Sequence, residues 1–176
     1  QNWNSGFYKM SQEIINRVAN SQLVTIDLED FYPKGERVCM DLKDWLEEGL
    51  ILREKNFRNA VNAFDWNQYK DQYVALHCSS EAIVPGWAYM LITTKLSPIC
   101  KKVVIGTIET LDTVLFQEIL SDFDLAPYKN KPVIIKGCAH LPIPENAYVT
   151  LVSLLQPKVK SLMYGEACSS VPLFKA

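Results

Sequence analysis

Three cysteines are the residues in this chain best placed to do chemistry. Cys78 closes the apolar run Tyr73-Val74-Ala75-Leu76-His77 and opens Cys78-Ser79-Ser80-Glu81, just before a helical pattern. That puts a thiol at the carboxyl end of a buried parallel strand, where open α/β sheets carry ligands and catalytic groups. The same arrangement recurs at Pro132-Val133-Ile134-Ile135-Lys136-Gly137-Cys138. Cys168 lies in Gly165-Glu166-Ala167-Cys168-Ser169-Ser170, near the end of the chain. Thiolates ligate soft metals, which here means zinc or an iron–sulfur species. A helix amino terminus following a thiol also favours its ionised form, and that serves a nucleophile equally well.

The elements that position these thiols follow from hydrophobic periodicity. Ser11 to Asn20 reads as a short helix, with Ile14, Ile15 and Val18 on one side. Residues 23–28 and 37–42 read as strands around a turn at Pro33-Lys34-Gly35-Glu36, which predicts an antiparallel hairpin. Helices are expected over 43–50, stopped by Gly49, and over 53–64. From Tyr73 onward, short apolar runs alternate with amphipathic helices: strand 73–78, helix 84–96, strand 103–106, helix 110–123, strand 133–137, helix 144–164, strand 171–174. That grammar implies βαβ units and a mostly parallel sheet. The expected fold class is α/β: a single domain over residues 11–176, with a central mixed, mostly parallel sheet and helices on both faces. Residues 1–10 read as an extension or a misassigned start, with Met10 as the expected natural start. No internal repeat or low-complexity stretch stands out.

In the common strand order 2-1-3, strand 73–78 lies beside strand 133–137 at about 4.8 Å. Cys78 and Cys138 are then neighbours. With zinc–sulfur bonds of about 2.3 Å, two thiolates on one metal lie roughly 3.5–4 Å apart, which such strands allow. Cys168 joins them only if Pro157 breaks helix 144–164 and the chain turns back, or if a second chain supplies it. His140, two residues beyond Cys138, is a candidate fourth ligand. The competing reading of any free cysteine is a small buried hydrophobe, and Cys39 and Cys100 are read that way. No Cys-x-x-Cys is present, so the metal signal is one of position.

Composition excludes several classes. The 18 basic residues are balanced by 20 acidic ones, leaving a net charge of -2 with no general pull toward nucleic acid or an anionic membrane. No apolar stretch approaches the roughly 20 residues that span a bilayer, and no basic-then-apolar leader is seen. The expected compartment is the cytoplasm, where five cysteines mean free thiols or ligands rather than disulfides. No Walker, dinucleotide or Gly-x-Ser-x-Gly motif is present. Glu29, Asp30, Glu36, Asp41, Asp44, Glu47 and Glu48 read as solvated loop and helix faces, and the aromatic residues as core.

Several strings carry a resemblance. Asn16-Arg17-Val18-Ala19-Asn20-Ser21 and Asp27-Leu28-Glu29-Asp30-Phe31-Tyr32-Pro33 open it. Ala82-Ile83-Val84-Pro85 with Trp87-Ala88-Tyr89-Met90, Ile135-Lys136-Gly137-Cys138, and Met163-Tyr164-Gly165-Glu166 with Cys168-Ser169 continue it. From about Asn16 to its end the chain resembles an uncharacterised bacterial family, domain-of-unknown-function family 2480. The resemblance carries no established activity. It implies that Cys78, Cys138 and Cys168 belong together, and it does not extend to His140, Cys39 or Cys100. Through gene neighbourhood it also implies a role near sulfur mobilisation and iron–sulfur cluster assembly, with assembly proteins as partners.

The sequence therefore predicts an accessory protein holding zinc or an iron–sulfur species through Cys78, Cys138 and Cys168. The alternatives are a thiol enzyme or sulfur carrier using Cys78 or Cys138, and an interaction module with structural cysteines. A homodimer is the base-rate expectation.

Overall fold

The computed structural model describes residues 22–137 and 139–176. The helix expected over 11–20, the extension before it and Cys138 lie outside the described residues. The fold is α/β. Its strands form two hydrogen-bonded sheets, mostly parallel, rather than one.

The first sheet has the order β2-β3-β4, formed by Arg37–Asp41, Tyr73–His77 and Lys102–Ile105, all parallel. The second has the order β1-β5-β6-β7, formed by Val24–Ile26, Pro132–Ile135, Ser161–Glu166 and Ser169–Lys175. Among the described strands of this sheet, only the β6–β7 pair is antiparallel.

Among the described residues, four helices cover the sheets: α1 (Glu54–Ala63), α2 (Gly86–Leu96), α3 (Ile108–Ser121) and α4 (Glu145–Leu155). Val74 and Leu76 of β3 pack with Phe57 and Val61 of α1 and with Ala88, Ile92 and Leu96 of α2. Ala75 points to the opposite face, against Leu111 and Leu115 of α3. Farther along α3, Phe116 and Leu120 enter the other core, with Val133, Ile135, Leu162 and, from α4, Ala147, Leu151 and Leu155. The period-2 alternation of each strand thus selects its face, and α3 is shared between the two cores. Each fully buried Leu, Ile or Phe contributes about 1.5–3 kcal/mol relative to exposure.

Four expectations are corrected here. The antiparallel hairpin over residues 21–42 does not form, because β1 and β2 pair in parallel with β5 and β3, in different sheets. Two side chains explain this. Asp27 Oδ1 accepts from the Glu29 amide at 2.9 Å and turns the chain out of β1 into a 3-10 turn, Leu28–Phe31. Arg37 Nη1 then donates to the carbonyls of Pro33 and Gly35, each at 2.7 Å, so Pro33–Glu36 wraps a guanidinium instead of closing a hairpin.

Second, residues 43–50 are not an α-helix. Asp41 caps a short 3-10 turn, Leu42–Trp45, and Glu48 and Gly49 both take positive φ. Third, the helix expected over 144–164 ends at Leu155. Pro157 cannot extend it, and the chain returns as strand β6.

Fourth, the chain contains an internal repeat. One shift in numbering carries α2 onto α4, end to end, and β4 onto the start of β6. It carries Phe64-Asp65 onto Phe123-Asp124, Tyr69-Lys70-Asp71 onto Tyr128-Lys129-Asn130, Ala88-Tyr89 onto Ala147-Tyr148, and Pro98 onto Pro157. Asp71 and Asn130 share positive φ values of 60° and 58°, and the corresponding Gly106 and Gly165 have 138° and 120°. Register agrees as well. Leu76 pairs with Met40 and Ile105, and its counterpart Ile135 pairs with Ile26 and Tyr164. The edge strands β1 and β2 end in matching strings, Asp27-Leu28-Glu29-Asp30-Phe31 and Asp41-Leu42-Lys43-Asp44-Trp45. Each half therefore receives one Asp-capped strand from the amino-terminal region. The identical positions are scattered among pairs that change type, such as His77 with Lys136 and Lys95 with Leu154, which hides the repeat in the sequence.

Candidate functional site

Each sheet ends in a loop that carries one of the strand-end cysteines. In the first half, Asp41 stands beside His77 in the β2–β3 register. Asp41 Oδ1 accepts from the amides of Lys43 and Ser79, both at 3.0 Å. Hydrogen bonding from Ser79, then from the Lys43 amide, lowers its pKa from 3.8 to about 2. Cys78 is partly buried, and its Sγ lies 3.2 Å from Ser80 Oγ. Tyr89 of α2 completes the setting. Burial raises its pKa, and the nearby Cys78 and Asp41 add to the rise.

In the second half, Asp27 takes the place of Asp41 and Lys136 that of His77. Lys136 Nζ and Asp27 Oδ2 are 2.7 Å apart. Burial pulls the Asp27 pKa upward, but hydrogen bonds from Lys136 and the Glu29 amide outweigh it, and the net shift is downward. Lys136 shifts upward through its hydrogen bond to Asp27, with Glu166 and Glu29 contributing. Glu29 Oε1 accepts from the backbone amides of both His140 and Leu141. Tyr148 of α4 stands where Tyr89 does, edge-on to Tyr164 at 5.8 Å.

Strand pairing does not bring Cys78 and Cys138 together. β3 is flanked by β2 and β4, and β5 by β1 and β6, so the expected 2-1-3 order is not realised. Cys168 fares differently. β6 returns the chain along β5, and Ala167-Cys168 form the turn to β7, between the paired residues Glu166 and Ser169. Gly137 touches the same strand end: a Cβ there would come 3.0 Å from Tyr164 Cζ and 3.3 Å from Gly165 Cα. The Tyr164 hydroxyl donates to the Gly137 carbonyl at 3.4 Å. Gly137, which precedes Cys138 in the chain, and the turn bearing Cys168 therefore share one sheet edge. The return that was expected of a broken helix is made by a strand.

Cys39, Cys78, Cys100 and Cys168 carry free thiols, with Cys39 and Cys168 exposed. Burial raises the pKa of Cys100. Among the described residues, no three His, Cys, Asp or Glu side chains stand close enough to hold a metal ion. That set does not include Cys138. His140 sits beside the Asp27–Lys136 pair and adds to the downward shift of Asp27.

The sequence reads Glu29 and Asp41 as solvated faces and does not single out Asp27 or Lys136, yet these four organise the two loops. The signal was the repeated Asp-Leu-x-Asp-aromatic string, followed in each half by a strand with His or Lys at its end.

Among the described residues, no helix is long and apolar enough to cross a membrane. No curated protein and no solved structure matches the chain. Residues 12–176 match the family described as protein of unknown function (DUF2480), and the chain belongs to that family.

Proposed function

We propose that this protein is an accessory metal-handling protein, with zinc or an iron–sulfur species held at the carboxyl edge of the β1-β5-β6-β7 sheet. Cys138 and Cys168 are the thiolate ligands within one chain. His140, which neighbours Asp27, is the third protein ligand. Cys78 belongs to the other sheet edge and is not needed for this site. The observation that carries the reading is the packing of Gly137 against Tyr164 and Gly165, which joins the Cys138 loop to the Cys168 turn. Soft thiolates with one imidazole suit zinc or iron. Iron–sulfur assembly proteins are the partners this chemistry suggests, and the cytoplasm is the compartment where the thiols stay reduced.

The test is X-ray absorption at the metal edge of tag-free protein. A sulfur shell near about 2.3 Å with a lighter nitrogen or oxygen shell is expected. A shell of nitrogen and oxygen alone, or protein free of metal, would overturn the reading.

A second reading is a thiol enzyme or sulfur carrier that uses Cys78. It is favoured by the 3.2 Å contact from Cys78 Sγ to Ser80 Oγ, which can stabilise a thiolate. Rapid alkylation of Cys78 alone at neutral pH, in metal-free protein, would select it.

A further inference from the structure

We propose that the outer edge of β4 is a docking site for an extended segment of a partner protein. The segment adds as an antiparallel strand and carries an aromatic residue followed two positions later by an acid. The other half of the chain shows the same edge filled. The shift that relates the halves carries β4, Lys102–Ile105, onto residues 161–164 of β6. Pairing to the central strands agrees: Val103 lies beside Val74, and Leu162 beside Val133. On its other side β6 takes β7 as an antiparallel neighbour, whereas β4 is the last described strand of its sheet. An edge strand presents unpaired N–H and C=O groups that bind a further strand.

The side chains agree with the backbone. In β7, Phe174 lies opposite Leu162 and packs against the core that holds Leu155, Val159 and Leu162. The corresponding residues beside β4 are Leu96, Cys100 and Val103. Cys100 and Val103 are each smaller than the residue they match. With Thr93, Ser97, Lys101 and Lys102 they line a cavity of about 300 Å³. Leu162, opposite Phe174, is fully buried, and Val103 only partly so. The cavity thus stands where Phe174 stands in the other half, and an aromatic side chain opposite Val103 would fill it.

Charge selects the residue that follows. Among the described residues, the charged lining of the cavity is Lys101 and Lys102. Lys102 is paired with Glu118. Lys101 forms no ion pair with a described residue, and its ammonium donates to the Lys34 carbonyl at 2.8 Å. Lys101 corresponds to Lys160, whose carbonyl accepts from the Ala176 amide at 3.0 Å. The partner residue at the position of Ala176 therefore lies beside Lys101. Alternate residues of a strand share a face, so an acid there and the aromatic residue both turn to the cavity. β4 itself carries no aromatic residue, so a second copy pairing through β4 would leave the cavity open. This site lies on the other sheet from the proposed metal ligands and does not rest on that reading.

The test is amide NMR of the full chain titrated with a peptide that copies residues 169–176 with Ala176→Glu. Saturable shifts at residues 103–105 are expected. Phe174→Ala in the peptide should weaken binding at least about tenfold, through loss of one buried ring. The peptide with its native Ala176 should bind about two- to fivefold more weakly, the worth of an exposed cross-strand charge pair. In the chain, Lys101→Glu should reverse that order and favour a peptide with Ala176→Lys. No saturable shift at β4, shifts at residues 161–164 alone through displacement of β7, or equal binding of the Phe174→Ala peptide would overturn the proposal. Shifts at β4 that depend on protein concentration without peptide would assign the edge to a second copy and overturn the partner segment. An unchanged order of peptides in Lys101→Glu would overturn the acidic component.

Discussion

Gly137 lies against Gly165, and a Cβ added to it would come within 3.3 Å of the Gly165 Cα. The nearer obstacle, Tyr164 Cζ at 3.0 Å, belongs to a ring held edge-on by Tyr148. This close approach is what puts Gly137, the residue before Cys138 in the chain, and the Cys168 turn on one edge. Gly137→Ala should therefore cost about 1–3 kcal/mol as an overpacked site, read from urea unfolding, and should reduce metal content. A neutral effect on both would show that the two segments are not tightly joined.

Arg37 and Asp112 are a buried pair between β2 and α3, with Nε 3.0 Å from Oδ1 and side chains 11% and 2% exposed. The guanidinium also lies over the Tyr32 ring at 4.2 Å, and its Nη2 is buried without a partner. Removing the carboxylate would leave a largely buried cation uncompensated. Asp112→Ala should cost about 3–5 kcal/mol in urea unfolding. Glu54→Ala, which breaks the exposed i,i+4 pair with Arg58, should cost no more than about 0.5 kcal/mol. Similar costs for the two would contradict the difference in burial between the Arg37–Asp112 and Arg58–Glu54 pairs.

Asp41 gives an acid-limb prediction. Its folded pKa, about 2, lies below the ordinary 3.8, held down by hydrogen bonds from Ser79 and the Lys43 amide. A depressed carboxyl stabilises the fold above the unfolded value, and that contribution is lost as pH falls through the folded one. Stability should therefore decline between pH 3.8 and 2 in the native chain, with a visibly shallower decline in Asp41→Asn. Identical acid limbs in thermal melts would exclude Asp41 as a source of the sensitivity.

Thiol accessibility gives a fourth. Cys168 and Cys39 are exposed, whereas burial raises the pKa of Cys100. In metal-free protein at neutral pH, iodoacetamide should label Cys168 and Cys39 well before Cys100, as resolved by peptide mass spectrometry. Early labelling of Cys100 would contradict its partly buried position beside Leu96 and Val103.

Much of the α/β layout was legible in the sequence, because strands 73–77, 102–105 and 132–135 and helices α1 to α4 carry strong periodicity. Strand partners were not. A parallel pair leaves no mark in either strand alone, so β1 and β2 read as a hairpin although each serves a different sheet. The strand β6 read as helix because Leu151, Leu155, Val159 and Leu162 are all buried apolar residues, and their spacing suits a helix. Cys168 was legible as a candidate, but its route to the edge was not. The ring of Asp27, Glu29 and Lys136 was invisible because its members are far apart in the chain and ordinary in type. Only the repeat explains them, and changes of residue type between the halves obscure the repeat.

The most direct measurement is metal stoichiometry, by mass spectrometry of the element, in tag-free native protein and in the variants Cys138→Ser, Cys168→Ser and Cys78→Ser. The account predicts about one metal per chain in the native protein, the count of a mononuclear site held by Cys138, Cys168 and His140. It predicts loss in Cys138→Ser and Cys168→Ser, and retention in Cys78→Ser. Loss in Cys78→Ser, or retention in Cys138→Ser and Cys168→Ser with the fold intact by circular dichroism, would contradict it.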